Sequence, residues 1–223
     1  MDPMTVTKET GATTMPLGMT VAEPSCQMTG AELMTFADEV RGNSIFLANL
    51  VSAFSAHERC GLHLYSTAAG MTQIEEWRAK YEEFGAQTSE HVRILAELTT
   101  QLGGDPMYVS PQARMTEFCD SKLMEAVLLA GSVDTMTMEL TTLEAVFLAE
   151  QKCHANWELL KSIAGQMTDS PARQTIERAV SEVEDQEDEH VKWAQQTLKR
   201  TLMAQVGAGL APGGGQTPPS ASS

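Results

Sequence analysis

Glu58, His91, Glu150, Glu187 and His190 combine carboxylate and imidazole chemistry at positions where helical spacing turns them inward. Oxygen and imidazole donors converging from several helices suit iron or manganese, and the bound ions would neutralise carboxylates that otherwise repel in a dry core. Without a partner, each buried charge costs several kcal/mol. Glu58 falls between Phe54 and Leu62, with Tyr65 seven residues on along the same helical face. His91 sits among Phe84, Leu95 and Leu98. Glu150 and His154 are one turn apart after Leu143 and Phe147. Glu187 and His190 form Glu-x-x-His, three residues apart on one face. A single Glu-x-x-His decides nothing, since roughly half an instance is expected by chance in a chain of this composition. The order carries more: Glu, then Thr-x-x-His, then Glu, then Glu-x-x-His.

Plainer readings of the same residues stand beside this one. Glu58 is a surface carboxylate if its helix is rotated, and His91 a core histidine bonded to a backbone carbonyl. Glu187 also belongs to the acidic run from Glu182 to Glu189, a pattern typical of a solvated face. Glu144, six residues before Glu150, is an alternative inward carboxylate. His154 is open between extra ligand, partner of a ligand and surface residue. His57 and His63 read as packing or surface residues, and Cys60 and Cys153 as free thiols with no assigned role.

The elements that must position these residues are helical by pattern. Thr29 with Glu32 forms a capping box that opens a first segment, with a pause at 41–44. A first long helix follows from Ser44 to Gly70. Thr72 with Glu75 is expected to cap a second, which runs through Trp77, Tyr81 and Ile94 to the Gly103-Gly104-Asp105-Pro106 stop. Ser110-Pro111 opens a short crossover helix ending near Gly131. A third long helix spans about Ser132 to Gly165, and Ser170 with Pro171 opens the fourth, which reaches Val206. Strand alternation is absent. The expected fold is all-α: a four-helix bundle over 29–206 with a long crossover between its second and third helices. Residues 1–28 and the Gly/Pro/Ser-rich 207–223 read as disordered tails.

The 223 residues include 30 acidic and 15 basic side chains, for a formal charge of −15, and 42% are hydrophobic. That content excludes wholesale disorder, and the acidic excess argues against a nucleic-acid surface. No run approaches a membrane span, and the N-terminus lacks a basic-then-apolar signal pattern. Four dispersed cysteines without CxxC point to free thiols and a cytoplasmic protein.

Over 44–206 the chain resembles the ferritin-like superfamily, in particular bacterioferritins and rubrerythrin-like proteins. The stretch from Glu58 to Tyr65 is similar to the family's Glu followed by Tyr seven residues on. Leu143 to Glu150 resembles the segment whose final Glu is a ligand. Gln186-Glu187-Asp-Glu-His190-Val-Lys-Trp193 resembles the bacterioferritin run with its Trp three residues after the His. Gln87-Thr-Ser-Glu-His91-Val is also similar to YciF-like stress proteins. The resemblance implies two iron ions held by Glu58, His91, Glu150, Glu187 and His190, with Tyr65 as a hydrogen-bond donor or radical carrier. It implies oxidation of Fe(II) by dioxygen or peroxide, and self-association as a dimer or larger. The family's helix-2 bridging Glu is replaced by Thr88, which loosens the second metal position, with Gln87 as a neutral substitute donor. Ser89 stands where bacterioferritin has its haem-binding Met, so no haem is expected. An iron-storage cage subunit and a metal-free bundle acting in partner binding or stress protection are the competing functions.

Overall fold

The structure, a computed structural model, describes residues 5–7, 11–13, 24–37 and 42–207. The protein is built from helices: α1 (Gly30–Thr35), α2 (Ser44–Met71), α3 (Glu75–Gln101), α4 (Pro111–Ala130), α5 (Thr135–Gln166) and α6 (Pro171–Gln205). The exception among the described residues is a short antiparallel ribbon, β1 (Thr5–Thr7) with β2 (Gly11–Thr13), lying in the stretch expected to be a tail. Strands of three residues are too short to show a period-two pattern. The rest of 1–23, residues 38–41 and the tail from 208 onward lie outside the described residues.

Most helix starts follow their sequence signals. Thr29 and Glu32 cap each other at α1. Ser110 and Ser170 accept from the backbone N–H three residues on, each followed by Pro at the first helical position. The start of α5 is Asp134, whose carboxylate accepts from Thr137 N–H, rather than Ser132. The expected Thr72 cap of the second long helix is a correction. Ile74 precedes that helix with no side-chain cap bond, and Thr72 instead terminates α2. The Thr72 hydroxyl donates to Glu139 Oε2 at 2.7 Å, and Gln73 N–H donates to Glu139 Oε1 at 2.6 Å. A buried carboxylate from α5 therefore claims the turn that α3 would have used. The crossover helix expected from Ser110-Pro111 to near Gly131 is α4, 20 residues long.

Helices α2 and α3 form one hairpin and α5 and α6 another, and the hairpins meet through α2 against α5 and α3 against α6. Because α3 and α5 run in the same direction, the chain must return the length of the molecule between them. Helix α4 carries it back alongside α2, from Ser110 bonded to Asn49 O to Gly131 beside Met71. At the end of α3, Gly103 adopts a left-handed φ of 82°. A Cβ on Gly104 would stand 2.7 Å from the Phe36 ring, so only glycine admits this contact. No helix among the described residues is long and apolar enough to cross a membrane.

Two apolar clusters fill the interior. One gathers Val51, Phe54, Leu95, Leu98, Leu160, Ile176 and Val183. The other gathers Tyr65, Tyr81, Phe84, Leu143, Val146 and Ala194. Between them in every long helix lies a polar layer.

Candidate metal centre

Buried positions on the four long helices alternate by three and four residues, the spacing of a packed helical seam. On α3 they are Phe84, Thr88, His91, Leu95 and Leu98; on α5, Leu143, Val146, Glu150, Cys153, Trp157 and Leu160; on α6, Ile176, Val180, Val183, Glu187, His190, Ala194 and Thr197. Glu58 occupies the matching place after Leu47, Val51 and Phe54 on α2. The periodicity that buries leucine elsewhere buries these five ionisable side chains here. Each is at most 3% exposed.

Their geometry is reciprocal. His91 Nε2–H donates to Gln186 Oε1 at 2.8 Å, and His190 Nε2–H to Gln87 Oε1 at 2.6 Å. An amide oxygen only accepts, so each ring keeps its proton on Nε2 and turns Nδ1 inward. His190 Nδ1 lies 3.1 Å from Glu150 Oε2. His91 Nδ1 lies 3.0 Å from Glu187 Oε1 and 3.8 Å from Glu58 Oε2. The two rings stack with centroids 5.9 Å apart. Tyr65 donates to Glu150 Oε1 at 2.7 Å, while Trp157 Nε1–H and the Cys153 thiol both donate to Glu58 Oε1 at 2.8 Å.

Two groups of donor atoms result, each lying within 4.8 Å of one another: Glu58 with Cys153 and Glu187, and Glu150 with Glu187 and His190. Glu187 belongs to both. Glu58 Oε2 and Glu187 Oε2 are buried without a hydrogen-bond partner. Buried polar atoms in native proteins rarely go unpaired, and carboxylate oxygens left without a donor inside one polar layer fit a cation.

The titration behaviour follows from this crowding. Burial pushes Glu187 up to about 7, with Glu58 and Glu150 adding repulsion against the pull of His91. Burial alone would lower His91, but Glu187 and Glu58 overcome it and raise the imidazole to about 10. For Glu58 burial is also opposed, and His91, Cys153 and Trp157 hold it below the usual carboxylate value. Burial and the neighbouring carboxylates keep the Tyr65 hydroxyl and the Cys153 thiol protonated.

Other sequence candidates lie elsewhere. Glu144 is exposed, so of the two candidates Glu150 is the inward carboxylate. His154 bonds Asp188 at 2.8 Å on the surface. Gln87 touches His190 and not a carboxylate of the centre. Thr88 is buried in the seam, its methyl 3.4 Å from where a Cβ on Gly61 would stand. His63 is exposed. His57 is buried, its ring bonded to Asp120 of α4 at 2.8 Å and to Ala149 O of α5 at 3.0 Å.

Sequence reasoning assigned no role to Cys153 and passed over the hydrogen bonds of Trp157 and Gln186. One signal was available. A glutamine stands four residues before each of the two histidines, Gln87 before His91 and Gln186 before His190. No protein-family model matches the chain, and neither does any curated protein or solved structure.

Proposed function

We propose that α2, α3, α5 and α6 form a ferritin-like four-helix bundle whose polar layer binds two divalent ions, iron or manganese, and that the protein oxidises Fe(II) with dioxygen or peroxide. The observation that carries this reading is the pair of inward Nδ1 atoms facing three carboxylates, two of which keep an oxygen without a donor. In this reading Glu58 and His91 hold one ion, Glu150 and His190 the other, and Glu187 lies between them. The bound metal supplies the one-electron chemistry.

The chain's own groups prepare the centre. Gln87 and Gln186 fix the histidine tautomers. Tyr65 holds Glu150 Oε1 and so turns Oε2 toward His190. Trp157 holds Glu58 Oε1 and leaves Oε2 free. Between α5 and α6 a narrow recess is lined by His154, Trp157, Glu158, Val180, Glu184 and Glu187, so acidic groups border an approach to Glu187.

Anaerobic Fe(II) loading of metal-free protein followed by elemental analysis tests the proposal. Two ions per chain are expected, with His190→Ala retaining fewer and Glu187→Ala losing both while circular dichroism still reports a helical fold. A wild-type chain that retains neither iron nor manganese overturns it. Oxygen consumption on Fe(II) addition tests the oxidase activity separately.

A further inference from the structure

The two halves of the polar layer are unlike. The Glu150 side offers Glu150, His190 and Glu187, all oxygen and imidazole donors. On the Glu58 side Cys153 joins Glu58 and Glu187 in one group of donor atoms, and His91 Nδ1 lies 3.0 Å from Glu187 Oε1 and 3.8 Å from Glu58 Oε2. The Cys153 sulfur lies 2.8 Å from Glu58 Oε1 and 3.4 Å from Glu187 Oε1, 5% exposed on the inner seam of α5. The other described thiols, Cys26, Cys60 and Cys119, are free and lie outside this layer.

Charge supplies a second argument. Two divalent ions bring four positive charges, and Glu58, Glu150 and Glu187 return three negative ones. Thr88, the seam position before His91 on α3, carries no charge. One positive charge would be left in a dry interior, where an uncompensated ion is costly. A thiolate at Cys153 completes the balance on the side of Glu58, whose Oε2 has no hydrogen-bond partner.

We propose that Cys153 is a thiolate ligand of the Glu58–His91–Glu187 subsite, giving that subsite four protein donors and a selectivity for borderline-soft ions such as Zn²⁺ and Co²⁺ over Mn²⁺. This rests on the metal-centre reading above. Before binding, the Cys153 S–H stays protonated and hydrogen-bonds to Glu58 Oε1. On binding, the metal–sulfur bond forms, the proton leaves to solvent, and no oxidation state changes. A closed set of two carboxylates, one imidazole and one thiolate suits tetrahedral coordination. The neighbouring three-donor half keeps open positions, so the two ions take unequal roles.

Anaerobic titration of metal-free protein with Co²⁺ separates the possibilities. The expected result is a near-ultraviolet thiolate-to-cobalt charge-transfer band rising with the first equivalent, alongside visible d–d bands. Cys153→Ser, whose hydroxyl still bonds Glu58, should lose the charge-transfer band, keep d–d bands and bind its first Zn²⁺ at least about tenfold more weakly. Cys60→Ser should keep the band. Co²⁺ binding with d–d bands but no charge-transfer band, or a band unchanged in Cys153→Ser, overturns the role of Cys153 and leaves the metal centre standing. Absence of any Co²⁺ or Zn²⁺ binding overturns both.

Discussion

Gln87 and Gln186 each precede the histidine of their own helix by four residues but bond the histidine of the opposite one. The arrangement locks α3 to α6 and orients both imidazoles with uncharged acceptors, so the histidines gain direction without a further buried anion. Gln186→Leu leaves His91 Nε2–H without an acceptor and frees the ring to rotate. Metal affinity measured by chelator competition should fall about 10–100-fold, with helical content unchanged. An unaltered affinity would mean that packing alone aims the ring. At this scale the five carboxylate and imidazole positions were legible, because helical periodicity set them among Phe, Leu and Val. Cys153 was not, because a thiol between Glu150 and Trp157 satisfies the same periodicity as an ordinary apolar residue. Only the approach of α2 and α6 shows its sulfur beside two carboxylates.

Helix boundaries were readable where the cap is local. Ser110-Pro111 and Ser170-Pro171 carry their acceptors three residues from the donors they satisfy. The α2–α3 turn was misread because its acceptor is Glu139, 67 residues along the chain from Thr72. Both ends of α4 were legible in Ser110-Pro111 and Gly131, although its apolar pattern is weak: its buried side chains are Ala113, Val127 and Ala130, while Leu128 and Leu129 are exposed. Glu139 is a buried carboxylate outside the candidate metal centre, and it ties the N-terminal end of α5 to the α2–α3 connection. Glu139→Ala should strand the Gln73 N–H and the Thr72 hydroxyl and destabilise the fold by roughly 1–3 kcal/mol. Urea denaturation measures this, and the number of metal ions bound per chain should not change. An unshifted midpoint would mean that water replaces the carboxylate without loss.

Across the whole molecule a layer of ionisable groups separates two apolar cores, and stability must therefore respond to pH. Glu187 holds its proton more tightly folded, at about 7 against an ordinary 4.5. His91 does so at about 10 against 6.5. A raised folded pKa gives stability that is complete below the ordinary value and lost as pH rises through the folded one. Glu58, held low, acts oppositely, and its contribution disappears only as pH falls below the usual carboxylate range. The metal-free protein should therefore lose melting temperature from about pH 5 to about pH 10. Metal must displace these protons, so the gain in melting temperature on adding Zn²⁺ should widen over the same interval. Thermal melts with and without metal test both trends, and a metal-free melting temperature that climbs toward alkaline pH contradicts the assignment. The acidic composition hinted at cations, yet the division between solvated and buried carboxylates depends on how four helices rotate against one another. Helix α4 adds a last consequence. His57 and Ala149, joined by a hydrogen bond, are the chain neighbours of Glu58 and Glu150, and Asp120 grips the other side of the same ring. The gauge between two carboxylate-bearing backbones is thus set by a strut anchored outside the layer, in a helix that contributes no side chain to it.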